Sequence, residues 1–129
     1  MLHHIEIYVS NLEASKAFWS WLLVEELGYD IYQTWDQGIS YKLDATYLVF
    51  VQTEEKHLTP SYHRKRTGLN HLAFHGSSKK MVDQLRQKLE QKKIPILYPQ
   101  AYPYAGGSTH YAVFFEDPDR IKVEVVAPN

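Results

Sequence analysis

The 129-residue sequence contains no cysteine. That absence excludes a disulfide framework, a thiolate nucleophile and cysteine-ligated zinc. Any metal must therefore sit on nitrogen and oxygen. An excess of one charge is missing too: 14 Lys+Arg face 15 Asp+Glu, for a formal net charge of −1. Such a chain lacks the strongly basic face that nucleic acid requires, so no nucleic-acid partner is expected. Long apolar runs are also lacking. The longest, Phe18 to Val24, is interrupted by Ser20 and falls far short of the roughly 20 residues that span a bilayer. No membrane partner is expected. The opening MLHHIEIYV alternates in polarity instead of placing an apolar block after a basic stretch, so no secretory signal is expected and the cytoplasm is the expected location. What is abundant is tyrosine, with ten, and histidine, with seven. Both can line a polar pocket, and tyrosine also suits strands, so composition leaves both uses open.

The chain repeats itself. His4 falls on His71 and Ser10 on Ser77 at the same offset, each inside an alternating strand that runs into a helical pattern. Val9-Ser10-Asn11-Leu12-Glu13 predicts a capping box with Ser10 as N-cap. Ala14, Ala17, Phe18, Trp21, Leu22 and Val24 then recur at helical spacing up to Gly28. In the second copy Val82, Leu85 and Leu89 make the apolar stripe, and Pro95 stops it. Strands are predicted at about 29–35, 39–44 and 46–52, and again at about 96–98, 110–115 and 121–126. The chain thus reads as a single domain of α+β class, built from module 1–52, connector 53–67 and module 68–129, each module βαβββ.

Strand parity assigns faces. His4, Glu6 and Tyr8 oppose Ile5, Ile7 and Val9; His71 and His75 oppose Leu72 and Phe74; Glu124 opposes Val123 and Val125. The faces away from the helices collect His4, His71 and Glu124, two imidazoles and a carboxylate, a ligand set for a divalent metal with open positions. His75 lies about 13 Å along its strand from His71, too far to share an ion with it, and parity turns His3 away from His4. A histidine on a strand is also commonly a hydrogen-bonded or exposed residue, so spacing alone leaves the three as candidates.

These residues resemble the vicinal oxygen chelate superfamily, which includes glyoxalase I, extradiol dioxygenases, fosfomycin-modifying enzymes and bleomycin-binding proteins. The resemblance rests on His4-Ile5-Glu6-Ile7-Tyr8-Val9-Ser10-Asn11-Leu12 followed by Phe18-Trp19, on Gly68-Leu69-Asn70-His71-Leu72-Ala73-Phe74, and on Phe115-Glu116-Asp117-Pro118-Asp119 with Val123-Glu124-Val125. It covers essentially the whole chain and is closest to small glyoxalase-like bacterial proteins. It implies two modules paired into a curved mixed sheet with helices on the outer face, and one divalent metal (Zn, Fe, Mn or Ni) on His4, His71 and Glu124.

The resemblance also implies a small-molecule substrate with vicinal oxygens and a homodimer. Laying 47–51 on 121–125 puts Phe50 at the fourth ligand position, which disfavours glyoxalase I. The tyrosine of the extradiol pattern falls on Phe114, and the basic segment that follows the last ligand in the fosfomycin pattern has no counterpart. Arg120 replaces the glycine usual in the Asp-Pro-Asp-Gly turn, which predicts a reshaped turn.

The reading is therefore a metal-dependent lyase, isomerase, transferase or dioxygenase. Glu6 is the first candidate general base, and His110 and Tyr111 are further catalytic candidates. Phe50, Tyr8, His75 and Phe114 are the pocket candidates. The alternative is a non-catalytic small-molecule binding module of the bleomycin-resistance kind, with aromatics lining a groove. His63-Arg64-Lys65-Arg66, with Lys56 and His57, makes a basic connector that reads either as a solvated loop or as an anion attractor. Ala105-Gly106-Gly107-Ser108 has the flexibility of a pocket lid.

Overall fold

Asn11, one residue later than Ser10, caps the first helix: its side-chain oxygen accepts from the Ala14 N–H at 3.2 Å. Asn11 holds the extended backbone that an N-cap needs, and Gln52 takes the next free amide, its Oε1 accepting from Leu12 N–H at 2.8 Å. The helix, α1 (Leu12–Trp19), then passes into a π-helical segment, Ser20–Glu26. Its wider turn moves the buried stripe from Leu12, Ser15 and Phe18 onto Trp19, Leu22 and Leu23. The predicted stripe therefore errs at Ala17, which is exposed, and misses Trp19, which is fully buried. Gly28, at φ +79°, ends the segment. The second helix, α2 (Lys79–Gln91), is capped by Ser78, whose hydroxyl accepts from Met81 N–H at 2.9 Å.

The computed structural model describes residues 1–129 as two units, 1–61 and 62–129. The first carries β1 (His4–Val9), β2 (Asp30–Trp35), β3 (Gly38–Leu43) and β4 (Thr46–Gln52), in the order β1-β4-β3-β2. The second carries β5 (His71–His75), β6 (Ile96–Leu97), β7 (Ala112–Glu116) and β8 (Lys122–Val126), in the order β5-β8-β7-β6. In both sheets the first and last strands pair in parallel and the other pairs are antiparallel. This is the expected α+β class with two βαβββ copies.

Each unit has its own core. Trp19 stacks on Phe50 at 4.7 Å, with Tyr41 and Leu48 buried beside them. In the other unit Val82, Leu85 and Leu89 of α2 are buried, as are Val113, Phe115, Val123 and Val125 of the sheet. Burying a leucine such as Leu85 contributes about 1.5–3 kcal/mol.

Three differences from the sequence reading bear on function. The partition falls between 61 and 62, inside the predicted connector 53–67, so the basic run at 63–66 lies in the second unit. Tyr62 donates to the Leu69 carbonyl at 2.8 Å, and Arg64 pairs with Glu116 at 2.5 Å. Next, β7 begins at Ala112, so His110 and Tyr111 sit in a turn-rich loop and not in the strand. Finally, Arg120 adopts φ +65°, so the turn keeps the left-handed geometry that glycine would favour and is not reshaped. Asp117 holds it, its Oδ1 accepting from Asp119 N–H at 2.9 Å and Ile121 N–H at 2.7 Å.

Candidate functional site

The parallel pairing of β5 with β8 sets His71 opposite Lys122 and Ala73 opposite Glu124. His71, Lys122 and Glu124 therefore share the sheet face away from α2. His71 Nε2 reaches Glu124 Oε1 at 3.2 Å, and His110 Nε2, arriving from the loop, contacts Oε2. One carboxylate, 4% exposed, thus spans two imidazoles. The cavity around them is about 410 Å³, and Tyr98, Ala101, Ala105, Gly106 and Phe114 complete its wall. Lys122 donates to Tyr98 Oη at 3.1 Å and lies over the Phe114 ring at 5.1 Å, leaving a cation at the cavity edge.

Asn70 fixes the orientation of His71. Its Nδ2 donates to the Arg64 carbonyl at 3.1 Å, so its Oδ1 takes His71 Nδ1–H at 2.8 Å. Nε2 is then the nitrogen presented to the carboxylate. Contact between that nitrogen and a carboxylate is attractive only when Nε2 carries a cation, either a proton or a metal ion. An imidazole anchored through Nδ1–H, beside a carboxylate and with no sulfur donor, is the donor chemistry of an N/O-ligated divalent ion. As placed, no three His, Asp or Glu side chains are spaced around a common ion position.

His4 lies in the other unit, on β1. Its ring stacks on Tyr47 at 4.7 Å, and its Nδ1 lies 2.9 Å from Nδ1 of His3. His3 precedes the strand, so parity does not turn it away from His4 as expected. Glu6 and Tyr8 are exposed on the same face of β1 as His4. The β1–β4 ladder sets His4 opposite Tyr47 and Glu6 opposite Val49. Matched with His71–Lys122 and Ala73–Glu124, this places Val49, not Phe50, at the position equivalent to Glu124. Phe50 is fully buried against Trp19 and Tyr41 and lines no pocket on the other face, because the sequence superposition was one residue out of register.

Tyr111 is likewise turned away from Glu124. It donates to Asp83 Oδ1 of α2 at 2.6 Å, and Tyr102 donates to the same oxygen. Burial first, then the hydrogen bond to Asp83, push the Tyr102 hydroxyl far above its ordinary value; for Tyr111 the Asp83 bond is the leading cause of the rise. Both hydroxyls stay protonated and tie the loop to α2. His75 is exposed four residues beyond His71, while Phe114 lies opposite Glu124 and does line the cavity.

The two sheets and their order are shared with known proteins. A candidate glyoxalase from Bacillus halodurans, solved by crystallography, superposes with a TM-score of 0.97 at 63% identity, covering 99% of this chain and 96% of that one. The uncharacterized Bacillus subtilis protein YqjT is 61% identical over 99% of both chains. A lactoylglutathione lyase from Agrobacterium tumefaciens shares the fold at 20% identity, with a TM-score of 0.67 over 98% of this chain and 92% of its own. Residues 1–125 match the family described as the Glyoxalase/Bleomycin resistance protein/Dioxygenase superfamily. The chain belongs to that superfamily.

Within this superfamily member, the candidate-site contacts not assigned from sequence are those of Asn70, Tyr98 and Lys122. Lys122 was within reach of parity, being two residues from Glu124. Tyr98 was among the aromatics expected to line a groove and Asn70 lies in the 68–74 motif, but neither contact follows from strand periodicity.

Proposed function

We propose that this superfamily member is a metal-dependent enzyme acting on a small substrate with vicinal oxygens. The observation that supports it is the convergence of His71 Nε2 and Glu124, with Asn70 holding Nδ1 from behind. In this reading His4, His71 and Glu124 hold one divalent ion, zinc, iron, manganese or nickel. When bound, the ion supplies Lewis-acid stabilisation of negative charge developing on substrate oxygens.

The chain's own residues do the rest. His110 Nε2, resting on the second oxygen of Glu124, takes or gives a proton at the cavity. Glu6, exposed on β1, is the other base. Lys122, held by Tyr98, offers a positive charge to an anionic oxygen, and the wall of Phe114, Ala101 and Ala105 excludes water. The reaction is of lyase, isomerase, transferase or dioxygenase type. Glyoxalase I activity stays disfavoured, since neither Val49 nor Phe50 can supply a fourth ligand.

The enzyme would work in the cytoplasm as a homodimer. In support, no helix is long and apolar enough to cross a membrane, and β1 and β5 each lie at a sheet edge, where open backbone groups favour pairing with another chain. Light scattering behind gel filtration would report one monomer mass if the dimer is wrong.

Metal analysis of protein purified without chelators is the central test, with His71→Ala and Glu124→Gln expected to lose the metal. Absence of all four metals together with no binding on titration would remove the reading. The alternative is a non-catalytic binding module, in which His110 and Glu124 pair directly with each other. Unchanged metal and ligand binding in His4→Ala would favour it.

A further inference from the structure

The basic run at 63–66 is not spent on the cavity around Glu124. With the β7–β8 turn it closes a second cavity of about 180 Å³, lined by Tyr62, His63, Arg64, Lys65 and Arg120. We propose that this cavity is a binding site for a small oxyanion of the phosphate type, free or at the end of a small molecule.

Three cations line a space of that volume. Glu116, 8% exposed, neutralises part of their charge, pairing with Arg64 Nη1 at 2.5 Å and Arg120 Nε at 3.4 Å. The Glu116 contact holds the Arg64 guanidinium, and both arginines keep other N–H groups for a ligand. The Lys65 ammonium takes part in none of the ion pairs around Glu116. His63 Nδ1 accepts from Lys65 N–H at 3.1 Å, so in the neutral ring the proton sits on Nε2, a further donor. The Tyr62 hydroxyl is committed to the Leu69 carbonyl, and burial, followed by the charge of Asp117, keeps it protonated.

The second observation is strain. Arg120 stands at φ +65°, a left-handed conformation that glycine adopts freely and a side chain disfavours. What the turn obtains in return is a guanidinium in the cavity wall and a carbonyl that accepts from Arg64 Nη1 at 3.2 Å.

The cavity is also wired to the first one. The Arg64 carbonyl accepts from Asn70, and Asn70 holds His71. Arg120 lies in the turn that leads into β8, the strand that carries Glu124. In the reading proposed above, and resting on it, the cavity anchors the anionic end of a substrate whose reacting oxygens lie at Glu124.

Titration calorimetry with inorganic phosphate tests the site directly, with chloride at matched ionic strength as control and with EDTA present and absent. Saturable phosphate binding, unaffected by EDTA and weakened about tenfold or more in both Lys65→Ala and Arg120→Gly, is expected. Arg120→Gly removes the strained side chain, so its thermal midpoint should not fall, which separates lost binding from lost fold. No saturation, an equal response to chloride, or unchanged binding in both variants would overturn the proposal. Binding abolished by EDTA would also overturn it, by placing the anion on a metal. Because the readout is phosphate binding and not turnover, it stands or falls separately from the metal reading at Glu124.

Discussion

His110 and Glu124 meet across two kinds of structure, the imidazole arriving from a turn and the carboxylate from a buried strand. The loop is shaped for that meeting. His110 N–H donates to the Gly107 carbonyl at 3.0 Å, and Ala112 N–H to the Pro103 carbonyl at 2.9 Å. A Cβ on Gly106 would stand 2.6 Å from His110 Cδ2, so only glycine admits the ring there. Gly106→Ala should displace His110 without touching Glu124.

His110→Ala should leave Glu124 Oε2 without its partner while Oε1 keeps His71. The expected loss is about 1 kcal/mol, at the low end for an orphaned buried acceptor because the His110 side chain is 41% exposed. Urea denaturation would check it. If His110 moves the proton in the reaction, turnover should fall far more than metal content does.

On the proposed metal reading, Asn70→Ala should lower divalent-metal affinity about 10- to 100-fold, the usual effect of removing the partner that orients a ligand histidine. Competition with a chelator measures this. Asn70→Asp keeps an oxygen acceptor for His71 Nδ1 and should retain more affinity than the alanine variant.

Leu85→Ala removes a 1%-exposed side chain of α2 that faces the second sheet. A loss of about 2–5 kcal/mol in unfolding free energy is expected, read from the denaturation midpoint. An effect below 1 kcal/mol would mean that α2 is packed less tightly than its burial shows.

Stability should decline in alkali. Tyr29, Tyr41, Tyr62, Tyr102 and Tyr111 all have raised values, with burial as the leading cause in the first four and Asp83 in the last. The folded state thus keeps phenol protons that the unfolded chain releases near pH 10. This contribution is fully present below about pH 10 and is lost as pH rises from there toward the folded-state values. Thermal melts from pH 8 to 11 would show it, and Tyr102→Phe should flatten the slope.

Asp83→Ala should release the loop 98–111 from α2 by removing the shared acceptor of Tyr102 and Tyr111. Faster amide exchange confined to that loop is expected. Exchange at 105–108 should also slow on substrate binding if the glycine-rich stretch acts as a lid. Equal exchange with and without substrate would count against a lid.

Much of the fold was written in local pattern. Thr46–Gln52 is the strand its alternation predicts, and Val82, Leu85 and Leu89 are the buried face of α2. The π-helical turn at Ser20–Glu26 was not legible, because periodicity assumes a constant turn and packing of Trp19 on Phe50 takes place beyond it. Asn11 displaced Ser10 as cap because backbone direction, and not residue type, decides which of two adjacent cap formers is used. The one-residue slip that brought Phe50 to the ligand position has the same origin: adjacent apolar residues on β4 look alike in sequence, and only the ladder with β1 separates their faces.

The sequence by itself determined the βαβββ repeat, the nitrogen-and-oxygen character of any metal site, and the shared parity of His71 and Glu124 on their strands. These follow from residue type and a fixed two-residue period. Only the tertiary structure decided that Glu124 is spanned by His71 and His110, that Asn70 orients His71, and that the basic run at 63–66 folds against Arg120 to enclose a cavity. Each of those contacts joins an irregular segment to a strand, and irregular backbone has no period from which a partner can be read.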